Sequence, residues 1–111
     1  MFDIDNTIVR TKGSDYLKSK ARKQIINFVN KLYDKGYYIK IFTSRYMGRN
    51  NENADLVKKK YYNKTFNQLA SWKLKFHELI MGKPSYDIYI DDKSMNIKHK
   101  STIVYLKKLT K

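Results

Sequence analysis

The sequence predicts an α/β fold with a parallel sheet, on three observations. A short apolar run, Met1-Phe2-Asp3-Ile4-Asp5, opens the chain. An amphipathic helical pattern fills Lys18–Lys35, and the aromatic, β-branched run Tyr37–Phe42 follows at once. Strand, helix and strand in that order form a βαβ unit, and such a crossover joins parallel strands.

The first run reads as the end of a strand entering a polar loop. Asn6–Ser14 contains Gly13 and shows no helical period, so it reads as loop. In the helix, Ala21, Ile25, Phe28, Val29 and Leu32 recur at spacings of three and four, and Gly36 supplies the stop. Tyr37–Phe42 has the composition of a strand. Thr43–Asn50 is a polar loop with Gly48, and helical texture returns over Asn51–Tyr62. A further helix is expected from Thr65, which stands at capping-box spacing from Gln68. His77–Met81 is a short strand, broken by Gly82-Lys83-Pro84-Ser85, and Tyr86–Ile90 is another. Thr102–Leu106 reads as a last strand in preference to a short helix.

At 111 residues the chain has the size of one domain, expected to span 1–111. Such a length buries roughly two-thirds of its unfolded surface. The 41% hydrophobic and 14% aromatic content excludes a fully disordered chain. No apolar run approaches the roughly 20 residues of a membrane span. The chain has no cysteine, which excludes disulfides and thiolate metal sites and fits a reducing compartment. With no signal-peptide pattern at the start, a cytoplasmic location and no membrane partner are expected. Lys and Arg total 24 against 10 acidic residues, a formal charge of +14. Only Arg10, Arg22, Arg45 and Arg49 are arginines. The lysine excess fits an A/T-rich genome, a nucleic-acid partner or an anionic substrate.

The few acidic residues are the more informative ones. Asp3 and Asp5 leave the first strand, and Asp91 and Asp92 leave Tyr86–Ile90. Ligands of open parallel sheets bind outside the carboxyl ends of the strands. A set of carboxylates without His or Cys suits Mg²⁺, so Asp3, Asp5, Asp91 and Asp92 are the candidate metal ligands. Thr43-Ser44-Arg45 leaves the second strand, and Lys83 stands just ahead of the fourth. A hydroxyl and a lysine beside a divalent cation suit phosphoryl transfer, which is mostly positioning and charge neutralisation. Lys12, Arg45 and Arg49 lie in loops on the same face and join Ser44 as candidates to bind an anionic substrate.

Phe2-Asp3-Ile4-Asp5-Asn6-Thr7-Ile8 resembles the first motif of the haloacid dehalogenase superfamily. Ile41-Phe42-Thr43-Ser44-Arg45 resembles its second motif, Lys83 its third and Ile90-Asp91-Asp92 its fourth. The resemblance runs from residue 1 to about Asn96. The stretches Thr43–Arg49 and Gly82–Asp87 also look like small phosphatases of bacterial capsule and surface-polysaccharide synthesis. The resemblance implies a three-layer sandwich with a Rossmann-like parallel sheet and no cap domain. Its implied activity is a Mg²⁺-dependent phosphatase with Asp3 as nucleophile, Asp5 as general acid and base, and Thr43 and Lys83 holding the phosphoryl group. A small phosphorylated sugar is the implied substrate, and a homo-oligomer is compatible with it. Only Met1 and Phe2 precede Asp3, so either the first strand begins upstream of this sequence or it is unusually short. The alternatives are a phosphatase of nucleic-acid ends, suggested by the charge, and a non-catalytic binding protein on a similar scaffold.

Overall fold

The computed structural model describes all residues, 1–111. The elements are β1 (Val9–Arg10), β2 (Lys20–Ala21), α1 (Lys23–Asp34), β3 (Lys40–Thr43), α2 (Ala54–Ser71), β4 (Glu78–Met81) and α3 (Lys100–Leu109). Single 3₁₀ turns occupy Tyr16–Lys18 and Gly48–Asn50.

Two small sheets result. β1 and β2 are antiparallel, with Val9 opposite Ala21 and Arg10 opposite Lys20. β3 and β4 are parallel, in a register that runs from Lys40 opposite Glu78 to Thr43 opposite Met81. Phe2 adds one parallel bridge to Ile41 on the other side of β3. Its N–H donates to the Lys40 carbonyl at 2.9 Å, and its carbonyl accepts from the Phe42 N–H at 2.8 Å.

The expected three-layer core with a Rossmann-like parallel sheet is overturned by this topology. The protein is a small α/β fold with two two-stranded sheets and three helices. Tyr86–Ile90 is not a strand. It makes no backbone–backbone hydrogen bond, and Ile88 and Ile90 are 77% and 90% exposed. Strand composition alone does not make a strand, because each ladder group needs a partner. The single bridge at Phe2 provides no edge of matching length. Thr102–Leu106 lies inside α3. Buried Thr102 and Leu106 are four apart, and half-buried Ile103 and Leu109 continue that stripe, so the tertiary face follows a helical period despite the β-branched run.

Other boundaries moved for local reasons. α1 begins at Lys23 instead of Lys18 because Lys20–Ala21 is taken by pairing with β1. The two helices expected on either side of Asn63 are one, α2. Its cap is Asn53, whose Oδ1 accepts from the Leu56 N–H at 3.1 Å, satisfying a donor that the helix start leaves free. Thr65 is no cap; it is buried in mid-helix and its hydroxyl has no partner.

The core forms one cluster. Ile25 and Val29 of α1, Ile41 of β3, and Val57 and Leu69 of α2 are fully buried, together with Ile4, Ile8 and Val9. Each such side chain contributes roughly 1.5–3 kcal/mol. α2 packs on β4, and α3 packs on α1. No helix is long and apolar enough to cross a membrane.

Gly82 links this packing to the end of β4. Its φ is +90°, and a Cβ placed there would stand 2.8 Å from the Ala54 Cβ at the start of α2. Gly82→Ala therefore combines a clash with a left-handed backbone, and should destabilise the protein by about 1–3 kcal/mol in urea unfolding. Adding Ala54→Gly should recover only part of that loss, because the backbone strain remains.

Candidate functional site

Because Phe2, β3 and β4 run parallel, their carboxyl ends share one side of the molecule. Asp3 follows Phe2, Thr43 closes β3, and Gly82-Lys83 follows β4. The Lys83 N–H donates to the Thr43 carbonyl at 3.1 Å, which fixes the lysine against the neighbouring strand end. A cavity of about 890 Å³ opens on this side. Asp3, Lys83 and Asp91 all line it, together with Phe42, Tyr86 and Tyr89.

Lys83 is buried among aromatic rings. Its Nζ lies 4.8 Å from the Tyr86 ring centre, 5.4 Å from Tyr89 and 5.6 Å from Phe42. It also donates to the Tyr86 hydroxyl at 3.1 Å. Burial raises the proton affinity of Asp3 above the usual carboxylate range, and the charge of Lys83 opposes that rise. Asp91 is held low, at about 2, by a hydrogen bond with Asp92 and then by the Tyr89 hydroxyl and the Lys93 N–H. Tyr89 donates to it at 2.8 Å and Lys93 at 3.2 Å.

Asp5 goes elsewhere. It does not line the cavity, and its carboxylate meets the guanidinium of Arg45. Arg45 Nε lies 2.9 Å from Oδ2 and 3.1 Å from Oδ1, and Nη2 lies 3.0 Å from Oδ1. The Thr11 hydroxyl donates to Oδ1 at 2.5 Å. Arg45 is 2% exposed, so it is not the loop cation facing substrate that the sequence suggested. Tyr16 covers it at 5.1 Å, and Gln68 accepts from Nη1.

The remaining candidates divide. Thr43 is fully buried, and its Oγ1 accepts from the Arg45 N–H at 3.1 Å, which shapes the loop after β3. Ser44 is half-buried and its carbonyl accepts from the Met47 N–H. Lys12 is exposed, as is Asp92. Arg49 lies over the rings of Tyr16 and Tyr46, at 5.5 and 5.1 Å, and donates to the Ser14 carbonyl at 3.1 Å. Tyr46 is packed, not open: it stacks on Tyr61 with ring centres 3.8 Å apart. No three acidic or histidine side chains converge into a ready-made metal site. Asp3 and Asp91 nevertheless face one cavity with hard oxygen donors, which suits Mg²⁺ in chemical type.

No family model matches the chain, and no curated protein matches it. Its fold has a solved counterpart. The crystal structure of an MCSG target from Vibrio cholerae aligns with a TM-score of 0.80, over 99% of this chain and 96% of that one. The two are 23% identical, so the likeness shows the fold alone.

Sequence reasoning missed Tyr86, Tyr89, Thr11, Ser19 and Gln68. The two tyrosines lie between Lys83 and Asp91, a position that could have marked them. Nothing local marks Gln68, which reaches the Tyr16 carbonyl at 2.7 Å across 52 positions of sequence.

The raised proton affinity of Asp3 has a stability consequence. The unfolded chain releases this proton near the ordinary value of 3.8, whereas the folded chain holds it to higher pH. The ionised carboxylate therefore costs stability above the folded value and nothing below the unfolded one. With chelator present, Asp3→Asn should melt at a higher temperature than wild type at pH 7.5. The advantage should vanish as the pH falls below about 4. An equal shift at both pH values would show that Asp3 is not held against desolvation.

Proposed function

We propose that this protein is a Mg²⁺-dependent phosphomonoester hydrolase that works through an aspartyl-phosphate on Asp3. The observation that carries the reading is that Asp3, Lys83 and Asp91 line a single cavity at the carboxyl ends of parallel strands. The motif resemblance to the haloacid dehalogenase superfamily supports the same chemistry. A small phosphorylated sugar of surface-polysaccharide synthesis is the proposed substrate, from the likeness of Thr43–Arg49 and Gly82–Asp87 to phosphatases of that kind.

Each residue then has a task. The Asp3 carboxylate attacks phosphorus, and the bond from phosphorus to the leaving oxygen breaks. Lys83, with the Tyr86 and Tyr89 rings packed near its Nζ, neutralises charge on Asp3 and on the phosphoryl oxygens. The resemblance assigns proton transfer to Asp5, but its carboxylate is paired with Arg45 and does not line the cavity, so in this arrangement water protonates the leaving oxygen. A second water then attacks the aspartyl-phosphate and gives up its proton to solvent, so that Asp3 and inorganic phosphate are released. Thr43 shapes the loop that carries Arg45. Mg²⁺ would be held by Asp3 and Asp91 with the backbone carbonyl of Asp5, and would supply charge neutralisation. Tyr86 and Tyr89 offer ring surface to the non-reacting part of the substrate.

The direct test is release of p-nitrophenol from p-nitrophenyl phosphate by the full chain, followed by a panel of sugar phosphates. Turnover should require Mg²⁺ and stop with chelator. Asp3→Asn should lower kcat on the order of 10³-fold or more. Lys83→Ala should lower it roughly 10²–10³-fold. A folded protein with no turnover on any phosphomonoester, or an Asp3→Asn variant with the wild-type rate, would refute the reading.

A further inference from the structure

The resemblance gives the phosphoryl group a hydroxyl from Thr43, but Thr43 is fully buried and does not line the cavity. The cavity hydroxyl that touches Lys83 belongs to Tyr86. A lysine ammonium carries donors and no acceptor, so Tyr86 Oη is the acceptor in the 3.1 Å bond between them. The phenol proton is therefore not spent on Lys83, and no protein acceptor takes it.

Other hydroxyls on the cavity wall have given their protons away. Tyr89 donates to the Asp91 carboxylate at 2.8 Å, Ser94 to the Asp91 carbonyl at 3.1 Å and Thr102 to the Asn96 carbonyl at 2.6 Å. Lys83 itself is 8% exposed. Of the three N–H bonds on its Nζ, one goes to Tyr86 and no protein acceptor takes the other two. Two adjacent side chains thus hold uncommitted donors on the wall that Asp3 also lines. Accepting from a cation makes the phenol a stronger donor, because hydrogen bonds in series polarise one another.

We propose that Tyr86 is a phosphoryl-binding residue, whose hydroxyl donates to a non-bridging oxygen beside the free N–H bonds of Lys83. This rests on the phosphatase reading, which brings a phosphoryl group to Asp3 and Lys83. The proton stays on the tyrosine throughout; the role is a hydrogen bond and not a transfer. A fixed donor at an oxygen that carries charge in the transition state stabilises it without reorganising.

The test compares wild type with Tyr86→Phe, which keeps the ring and removes the hydroxyl, in the full chain with folding checked by circular dichroism. Loss of a hydrogen bond to a charged group should lower kcat/KM for p-nitrophenyl phosphate about 10–100-fold. Inorganic phosphate, titrated calorimetrically with Mg²⁺ present, should bind Tyr86→Phe about 10-fold more weakly, a readout that needs no turnover. In a Lys83→Ala background the same substitution should still weaken phosphate binding about threefold. No effect in that background would show that the hydroxyl acts only by holding Lys83, and would overturn the proposal. Normal wild-type turnover with unchanged kcat/KM and phosphate affinity in Tyr86→Phe would sink this role alone. Wild-type protein that binds phosphate without turnover, and binds it more weakly in Tyr86→Phe, would sink the hydrolase reading and support the donor pair. Wild-type protein that neither turns over nor binds phosphate would sink both.

Discussion

A single buried cation organises the part of the molecule around the site. Leaving the Arg45 guanidinium unpaired in the interior would cost several kcal/mol, so the chain must bring acceptors to it. They come from three separated places: Asp5 after the first bridge, Ser19 before β2 and Gln68 in α2, with Thr11 bonded in turn to Asp5. Satisfying one side chain thus fixes the loop 5–19 against the loop after β3 and against α2. The aromatic layer adds to the same junction. Tyr16 covers Arg45, meets Tyr46 edge-on at 4.7 Å and is bonded through its carbonyl to Gln68. Tyr46 has a left-handed φ of 68°, unfavourable for a residue with a Cβ, and its stack on Tyr61 helps to hold it there.

The sheet that supports the site is small, so its order comes from the faces. Two four-residue parallel strands and one bridge supply few ladder bonds. α2 packs on β4, and the fully buried Ile41 shows how completely β3 is enclosed. At the opposite end of β3, the Ile39 N–H donates to His77 Nδ1 at 3.0 Å. His77 itself lies between the rings of Tyr33 and Tyr38. The parallel pair is therefore pinned at its start by an aromatic stack and at its end by the bond from Lys83 to Thr43.

Elements with a strong period were legible in the sequence. α1 shows its apolar stripe plainly, and Ile25, Phe28, Val29 and Leu32 are all buried as that stripe requires. β4 lies within the run that composition marked, and β3 overlaps its run but starts later and extends one residue past it, to Thr43. What escaped depended on partners distant in sequence. Tyr86–Ile90 has strand-like composition, but pairing is not a property of a segment alone. Thr102–Leu106 could have satisfied either period, and contact with α1 decided it. At the site, Asp3 and Lys83 were legible because each follows a short apolar run, whereas Asp91 shares their cavity although the strand expected before it does not form. Asp5 and Arg45 were singled out for the wrong surroundings. Nothing local reveals that residues 40 positions apart will neutralise each other in the interior.

The unladdered segment Tyr86–Ile90 carries a colloidal consequence. It joins strand composition and exposed isoleucines to backbone groups that no neighbour occupies. Such a segment is a template for edge-to-edge association between molecules. The +14 charge opposes that association, since two copies must approach against their mutual repulsion. Salt shortens that repulsion to about 8 Å at physiological strength. The lysine excess, whatever its origin, therefore acts as a solubility reserve that is greatest in dilute buffer and is drawn down as ionic strength rises.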